Sequence, residues 1–252
     1  MELFLISALV TIATATPVPG GNREPNGHSN ANLYKGFNGQ PKADYGENLR
    51  WVQEDIHEGR TCPNAEGYQC FHGDVSSYPI IDEWLSFDTL WDINEEAILS
   101  NNNSNADIQR YVRQSILQVA DDSNVSPRLI LAAVMQESSG KASVHCTGHM
   151  LHCGLMQASF NSHSFDPWNA EASILQMIRE GVQVSFWWFE LGSRPAAGQP
   201  YTAARSYNSG SVATDGNLYE AKWGTASYAN DIANRLIGWD GIGKGFRACY
   251  DD

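Results

Sequence analysis

The stretch that decides how this chain folds is SPRLILAAVMQESSG, residues 126–140. It opens with a Ser-Pro pair, which is typical of a helix start, and closes with Gly140, which is typical of a helix stop. The pattern predicts one helix over Arg128–Ser139. Ile130, Ala133 and Val134 recur at helical spacing on one face, and Glu137 occupies the next position on that face.

Glu137 is a carboxylic acid at a position where an apolar residue is expected. Burial disfavours the charged form of a carboxyl group and raises its pKa, which suits a general acid working near neutral pH. The alternative is a structural glutamate that pairs with an arginine or caps the backbone.

Three short motifs follow this helix: Gly154-Leu155-Met156-Gln157, then Ser206-Tyr207-Asn208-Ser209-Gly210, then Tyr228-Ala229-Asn230-Asp231-Ile232. In this order the chain resembles the goose-type lysozymes and the related lytic transglycosylases, over about Asp107 to Trp239. The resemblance implies cleavage of the β-1,4 bond between N-acetylmuramic acid and N-acetylglucosamine in peptidoglycan, with Glu137 as the proton donor.

The fold expected is mainly α, of the α+β kind. Apolar periodicity predicts further helices at Asp107–Asp122, Ala170–Leu191, Pro200–Tyr207 and Tyr228–Ile237. The second of these is apolar nearly all round, which is typical of a buried central helix, and its Trp187-Trp188-Phe189 run is expected in the core. The resemblance adds a lysozyme-like arrangement with a small β-hairpin region between Ser139 and Gln157, lining a cleft.

Besides Glu137, the resemblance implies a set of substrate-binding residues. Tyr207 and Tyr228 are expected to line the groove and orient either Glu137 or the sugar N-acetyl group, and Asn208 to shape a tight turn. Met156 is expected to offer an apolar wall and Gln157 an amide for N-acetyl groups. The remaining candidates are Ser138, which we expect to hold the helix end, Leu155 and His163.

The second carboxylate departs from the goose-type pattern. Goose-type enzymes carry aspartates before GLMQ and two residues after its Gln, whereas residues 138–154 contain no Asp or Glu and Ser159 takes the later position. Asp166 is the candidate base. Without a base, the family's alternative is attack by the muramic C6 hydroxyl, which gives a 1,6-anhydro product, as in lytic transglycosylases. The same residues also leave open chitin cleavage and a non-catalytic, wall-binding lectin.

Met1 to Ala15 has an apolar run ending in an A-x-A pattern and predicts a signal peptide, hence a secreted protein. Residues 16–40 are rich in Gly, Asn and Pro and predict a flexible leader or propeptide. Residues 41–105 are aromatic and acidic, and we expect an extension packed on a catalytic domain at 106–252; a separate wall-binding module is the alternative.

The net charge of -13 argues against nucleic acid as a partner. It also opposes attraction to anionic bacterial envelopes, so activity biased to mildly acidic pH is expected. No membrane partner, cofactor or obligate oligomer is expected; the expected partner is peptidoglycan or a chitin-type polysaccharide, bound by a monomer.

The five cysteines are an odd number for an oxidising compartment. Cys146 and Cys153 flank a small loop and are expected to pair. Cys62 most simply pairs with Cys70, although Cys249 could equally take one of those partners. Because His145, His149 and His152 lie in the same loop, a metal site is the alternative there; secretion favours the disulfide, so no metal is expected.

Overall fold

The computed structural model describes residue 56 and residues 67–159, 162–183, 199–243 and 245–250, which belong to one compact unit spanning Lys35–Asp252. Largely helical structure in these residues confirms the mainly-α prediction. The α-helices are α1 (Phe87–Asn101), α2 (Ala106–Ser123), α3 (Pro127–Ser138), α4 (Ala170–Gln183), α5 (Gln199–Ser209) and α6 (Tyr228–Leu236). No helix in the described ranges is both long and apolar enough to cross a membrane.

Helix α3 is the central helix of the fold. All its residues from Pro127 to Met135 are buried, and α3 contacts α1, α2, α4 and α6. The residue that caps its C-terminus, Ser139, adopts a left-handed φ of 51°, which ends the helix before Gly140. A Cβ on Gly140 would lie 2.5 Å from the Ile98 side chain, so this stop also permits close packing of α1.

Helices α2 and α4 pack against each other beside α3. The Asn105 side chain accepts hydrogen bonds from the backbone N–H groups of Asp107 and Ile108, which caps α2 at its start. The predicted helix over Ala170–Leu191 is described only as far as Gln183. Its predicted continuation through the Trp187-Trp188-Phe189 run lies outside the described residues.

Helix α1 lies in the segment that the sequence assigns to an extension, where only turn signals and scattered aromatics are evident. The Ser86 hydroxyl caps it by accepting from the Thr89 N–H at 3.2 Å. Trp84, Phe87 and Leu90 are buried in the same core as α2 and α3. The described part of residues 41–105 is therefore built into the helical core.

A backbone segment at residues 69–71 is held by two asparagines of α6. The Asn234 side chain accepts from the Gln69 N–H at 2.7 Å and donates to the Gln69 carbonyl at 2.9 Å. Asn230 similarly accepts from the Phe71 N–H at 2.7 Å and donates to the Gln69 carbonyl at 3.0 Å. These amides mimic a neighbouring strand, so Asn230 of the YANDI motif and Asn234 together fasten residues 69–71 to α6.

We expect Asn234→Ala to destabilise the protein by about 2–4 kcal/mol, because it leaves both polar groups of Gln69 without this partner and creates a cavity. Asn234 is fully buried, so water cannot replace the amide. The measurement is chemical denaturation of both proteins. Gln109→Ala, which removes an exposed amide bonded to the Glu95 carbonyl, is the control and should change stability by less than about 0.5 kcal/mol. Equal losses of stability in the two variants would contradict a stabilising role for the hydrogen bonds between Asn234 and Gln69.

Two disulfides are present among the described residues, and they are compatible with an extracellular protein. Cys146 is bonded to Cys153, the expected pair. Cys70 is bonded to Cys249 and not to Cys62. The simplest pairing is thus corrected: docking of residues 69–71 on α6 brings Cys70 to the C-terminal turn, a proximity that sequence spacing does not reveal.

The strand content of the described residues is a single small hairpin between α3 and α4. Strands β1 (His152–Cys153) and β2 (Ala158–Ser159) are antiparallel, with Cys153 opposite Ala158. GLMQ forms the turn that joins them. Gly154 has a φ of 75°, and a Cβ there would lie 2.7 Å from the His163 carbonyl, so glycine is needed both for the turn and for the close approach.

Candidate active site

Glu137 lies in the last turn of α3 and is half-buried. The Tyr228 hydroxyl donates a hydrogen bond to Glu137 Oε1 at 2.6 Å. Tyr228 is itself buried and begins α6, so two helices far apart in sequence fix the orientation of one carboxyl group. This is the contact expected between these two residues.

Burial raises the pKa of the Glu137 carboxyl to about 7, and the hydrogen bond from Tyr228 acts in the opposite direction. Burial, followed by the neighbouring Glu137, raises the pKa of the Tyr228 phenol well above its ordinary value. Tyr228 therefore remains a hydrogen-bond donor while Glu137 exchanges its proton near neutral pH. A carboxyl group with these properties is suited to general acid chemistry.

The raised pKa has a consequence for stability that does not depend on activity. Between pH 4.5 and about 7 the unfolded chain has released a proton that folded Glu137 retains, so folding weakens as pH rises through this window. Glu137→Gln removes the ionisation, so we expect the variant to be more stable than the parent at pH 8 by about 1–3 kcal/mol. At pH 4 the difference should be small. Denaturation of both proteins at each pH measures it, and a pH-independent difference would contradict the shift.

Tyr207 stacks on Tyr228, with ring centroids 6.3 Å apart and planes inclined by 20°. Its hydroxyl donates to the Met156 backbone carbonyl. Tyr207 therefore connects the GLMQ turn to the tyrosine that holds Glu137. Four segments that the sequence singled out separately meet here: the end of α3, the GLMQ turn, Tyr207 of α5 and Tyr228 of α6.

We expect Tyr228→Phe to raise the pKa of the Glu137 carboxyl group above that of the parent. The lost hydrogen bond favours the carboxylate, so its removal should raise this pKa further. NMR titration of the Glu137 side-chain carboxyl carbon measures it. Tyr207→Phe is the matched control, because it removes the bond to Met156 and leaves the Tyr228–Glu137 contact in place. An unchanged or lowered Glu137 pKa in Tyr228→Phe would count against this role.

The side chains of the GLMQ turn do not line an open groove. Leu155 and Met156 are fully buried, and Met156 packs against Gly181 of α4. The Gln157 amide donates to the carbonyls of Gly154 at 3.0 Å and His145 at 3.3 Å. The expectation that Gln157 offers its amide to N-acetyl groups is therefore wrong, because local backbone groups occupy it.

Ser138 and Asn208 also have structural partners. The Ser138 hydroxyl donates to the Val134 carbonyl at 2.9 Å, which agrees with its expected place at the helix end. Asn208 is inside α5 and not in a tight turn, since the turn begins at Gly210. Its side-chain Oδ1 accepts a hydrogen bond from the Thr225 N–H at 2.7 Å, and so secures the loop that leads to α6.

Arg205 is a residue that the sequence patterns did not single out. Its guanidinium is fully buried and donates to the carbonyl of Ala226 at 2.9 Å and to Asn208 Oδ1 at 2.5 Å. It thus holds the backbone two residues before Tyr228. Burial lowers its pKa. The signal for it was an arginine directly after the buried alanines Ala203 and Ala204 of α5.

His163 and Asp166 lie on the surface after the hairpin. The His163 imidazole pairs with Glu180 of α4. The Asp166 carboxylate accepts from the Trp168 N–H at 2.9 Å and caps a short 3₁₀ turn, Pro167–Asn169. Neither side chain is bonded to Glu137, and the described residues place no second carboxyl group in hydrogen-bond contact with it.

The arrangement combines a proton-bearing carboxyl group, a tyrosine pair that orients it and a buried arginine that holds the preceding loop. In the described part of the chain, no group of three or more His, Cys, Asp or Glu side chains is placed to hold a metal ion. The disulfide occupies two of the potential ligands in the 145–153 loop. Comparison of the chain with protein-family models, with curated proteins and with solved structures finds no match.

Proposed function

We propose that this protein is a secreted glycosidase of the goose-type lysozyme and lytic transglycosylase kind, which cleaves the β-1,4 bond between N-acetylmuramic acid and N-acetylglucosamine. The observation that carries the proposal is the Glu137 carboxyl group, whose pKa is raised to about 7 and which Tyr228 holds by a hydrogen bond of 2.6 Å. The proposal is also supported by the contacts that bring the GLMQ turn, Tyr207 and Tyr228 to Glu137.

In the first step Glu137 donates its proton to the glycosidic oxygen as the bond to the muramic C1 breaks. Protonation converts a poor leaving group into a neutral hydroxyl, and positive charge develops at C1 and the ring oxygen. The retained proton near neutral pH makes the acid form available, and the carboxylate left behind is stabilised by the Tyr228 hydroxyl.

The second step adds a nucleophile to C1. In a hydrolase a base removes a proton from water, and Asp166 is the candidate, although its carboxylate caps a surface turn. In a transglycosylase the muramic C6 hydroxyl attacks C1 and gives its proton back to Glu137, so no second carboxylate is needed. The absence of Asp and Glu from residues 138–154, where goose-type enzymes carry an aspartate, supports the anhydro product as the second candidate outcome.

Extracellular action is part of the proposal. The apolar run and A-x-A pattern at Met1–Ala15 support secretion, and the disulfides Cys70–Cys249 and Cys146–Cys153 are compatible with an oxidising compartment.

The deciding experiment is digestion of purified peptidoglycan, with identification of the muramic ends by mass spectrometry and Glu137→Gln as the control. Reducing ends that depend on Glu137 would establish a hydrolase and direct attention to Asp166. Anhydro ends would establish the transglycosylase. Products formed equally by Glu137→Gln would sink the assignment of the acid.

Chitinase and lectin activities predict different results in the same assay. A chitin-cleaving enzyme would leave peptidoglycan intact and release N-acetylglucosamine oligomers from chitin. A wall-binding lectin would release nothing from either polymer, and Glu137→Gln would keep its full sugar binding.

A further inference from the structure

Acidic residues are absent from one long segment of this acidic protein. The chain carries 29 Asp and Glu residues, yet none lies between Ser138 and Phe165. The same segment holds Lys141 and four of the seven histidines, which are His145, His149, His152 and His163. With Lys141 and no Asp, Glu or Arg, the segment has a positive formal charge, whereas the whole chain has a net charge of -13.

Three of these histidines lie on a rigid loop, His145–Cys153, which we name the histidine loop. The Cys146–Cys153 disulfide closes it, and Thr147 and His152 exchange backbone hydrogen bonds of 2.8 and 3.2 Å inside it. Its tip turns sharply, with left-handed φ values of 58° at His149 and 71° at Met150. A loop held in this way presents its side chains at fixed positions.

Solvent reaches the ionisable side chains of this loop. Lys141, His145 and His149 are exposed and His152 is half-buried, its ring packed over Gly148. Among the described contacts, the carboxylate of Glu180 pairs with His163 of this segment and not with the loop. No carboxylate in the described residues is bonded to His145, His149 or His152, so protonation would leave net positive charge there.

Hydrogen bonds connect the histidine loop to the Glu137 site through the GLMQ turn. Gln157 donates to the His145 carbonyl and accepts from the Thr147 hydroxyl at 2.8 Å, which fixes the base of the loop to the GLMQ turn. The same turn accepts the Tyr207 hydroxyl at Met156. A polymer bound along the loop is therefore held at a fixed place relative to the acid.

Local charge outweighs net charge at such a surface. At an ionic strength of 0.1 M the Debye length is about 10 Å, so acids on the far side of the molecule are largely screened. An exposed imidazole gains a proton as pH falls through about 6.5. Polymer carboxylates remain ionised over the pH range in which exposed imidazoles in general gain a proton.

We propose that the histidine loop is a binding surface for the carboxylates of an anionic, peptide-bearing glycan, and that mild acid switches it on. The proposal rests on the proposed function for the identity of the polymer. It explains how a chain with a net charge of -13 engages an anionic wall.

The test measures binding of soluble peptidoglycan fragments to the full-length Glu137→Gln protein, so that cleavage cannot intervene. The fragments are used with free carboxylates and with the same carboxylates amidated. Binding of the free form should tighten roughly tenfold between about pH 8 and about pH 5.5, and that of the amidated form by less than about twofold.

Two loop variants in the same background make the test specific. His145→Gln with His149→Gln should reduce the acid-induced gain to less than about threefold. His145→Lys with His149→Lys should bind the free form at about pH 8 as tightly as the parent does at about pH 5.5, which a merely structural role would not produce. His72→Gln, at an exposed histidine on another segment, is the control and should keep the full gain.

An acid-induced gain that survives in the glutamine variant, or that is equal for amidated fragments, would overturn the inference. Absence of binding to both fragments would also overturn it. Turnover by the Glu137-bearing protein is read separately. Loop-dependent binding without turnover would reject the enzyme and keep the surface, whereas turnover with pH-independent binding would reject the surface alone.

Discussion

Glu137→Gln is expected to lower kcat on peptidoglycan by roughly 10³-fold, within the range that a positioned general acid contributes. Glutamine has nearly the same size and its amide oxygen can still accept from Tyr228, so the site should keep its shape. What it lacks is a proton to transfer to the leaving oxygen. KM should change by less than about threefold, because the loss falls on the transition state.

The control for this experiment is Glu96→Gln, which neutralises an exposed carboxylate on α1 and should leave kcat unchanged. Chemical denaturation should show both variants folded. A loss of activity below about tenfold in Glu137→Gln would contradict the assignment of this residue as the acid. A rise in KM with unchanged kcat would indicate that Glu137 binds substrate and does not transfer a proton.

Removing the Cys70–Cys249 disulfide, as Cys70→Ala with Cys249→Ala, is expected to destabilise the protein by about 4 kcal/mol. The bond joins residues 179 apart in sequence, and cross-links that close long loops restrict the unfolded chain most in the chain-entropy account. A loss of this size is a large part of the stability of a typical domain. Chemical denaturation under non-reducing conditions measures it.

The other disulfide supplies the comparison. Cys146 and Cys153 are only 7 residues apart, so Cys146→Ala with Cys153→Ala should cost about 2 kcal/mol. The two losses should differ in the order of loop length. A larger loss on removal of the Cys146–Cys153 bridge would show that loop entropy is not the main contribution of Cys70–Cys249 to stability. Local strain or residual structure in the unfolded chain would then determine the difference between the two bridges.

The helices that the sequence predicted best are those with local start and stop signals. The Ser126-Pro127 pair and Gly140 bracket α3, and the structure shifts its bounds by one residue. Helix α6 likewise begins at the predicted Tyr228. In contrast, the sequence analysis does not predict α1. Its aromatic residues lie in a segment that also contains turn signals, and the capping role of Ser86 becomes evident only in the structure.

The candidate site was predictable where a role follows from residue type and position on a helix face. Glu137 is such a residue, and its contact with Tyr228 matches the expectation. Asn208 lies in α5 and not in the predicted tight turn. The role of the Gln157 amide was predicted wrongly, since an amide bonds whichever backbone group the fold brings near it. Arg205 was missed for the same reason: its partners lie in a loop that sequence spacing does not place.

The fastening of residues 69–71 to α6 bears on where the smallest folding unit begins. A chain starting at residue 106 would retain Glu137, Tyr207 and Tyr228, yet Asn230, Asn234 and Cys249 would lose their partners. Since α6 also supplies Tyr228, a displaced α6 would no longer hold the Glu137 carboxyl group in its orientation. A truncated protein intended to isolate the candidate site must therefore start upstream of Gln69, because residues 69–71, far from Glu137 in sequence, hold the helix that orients its carboxyl group.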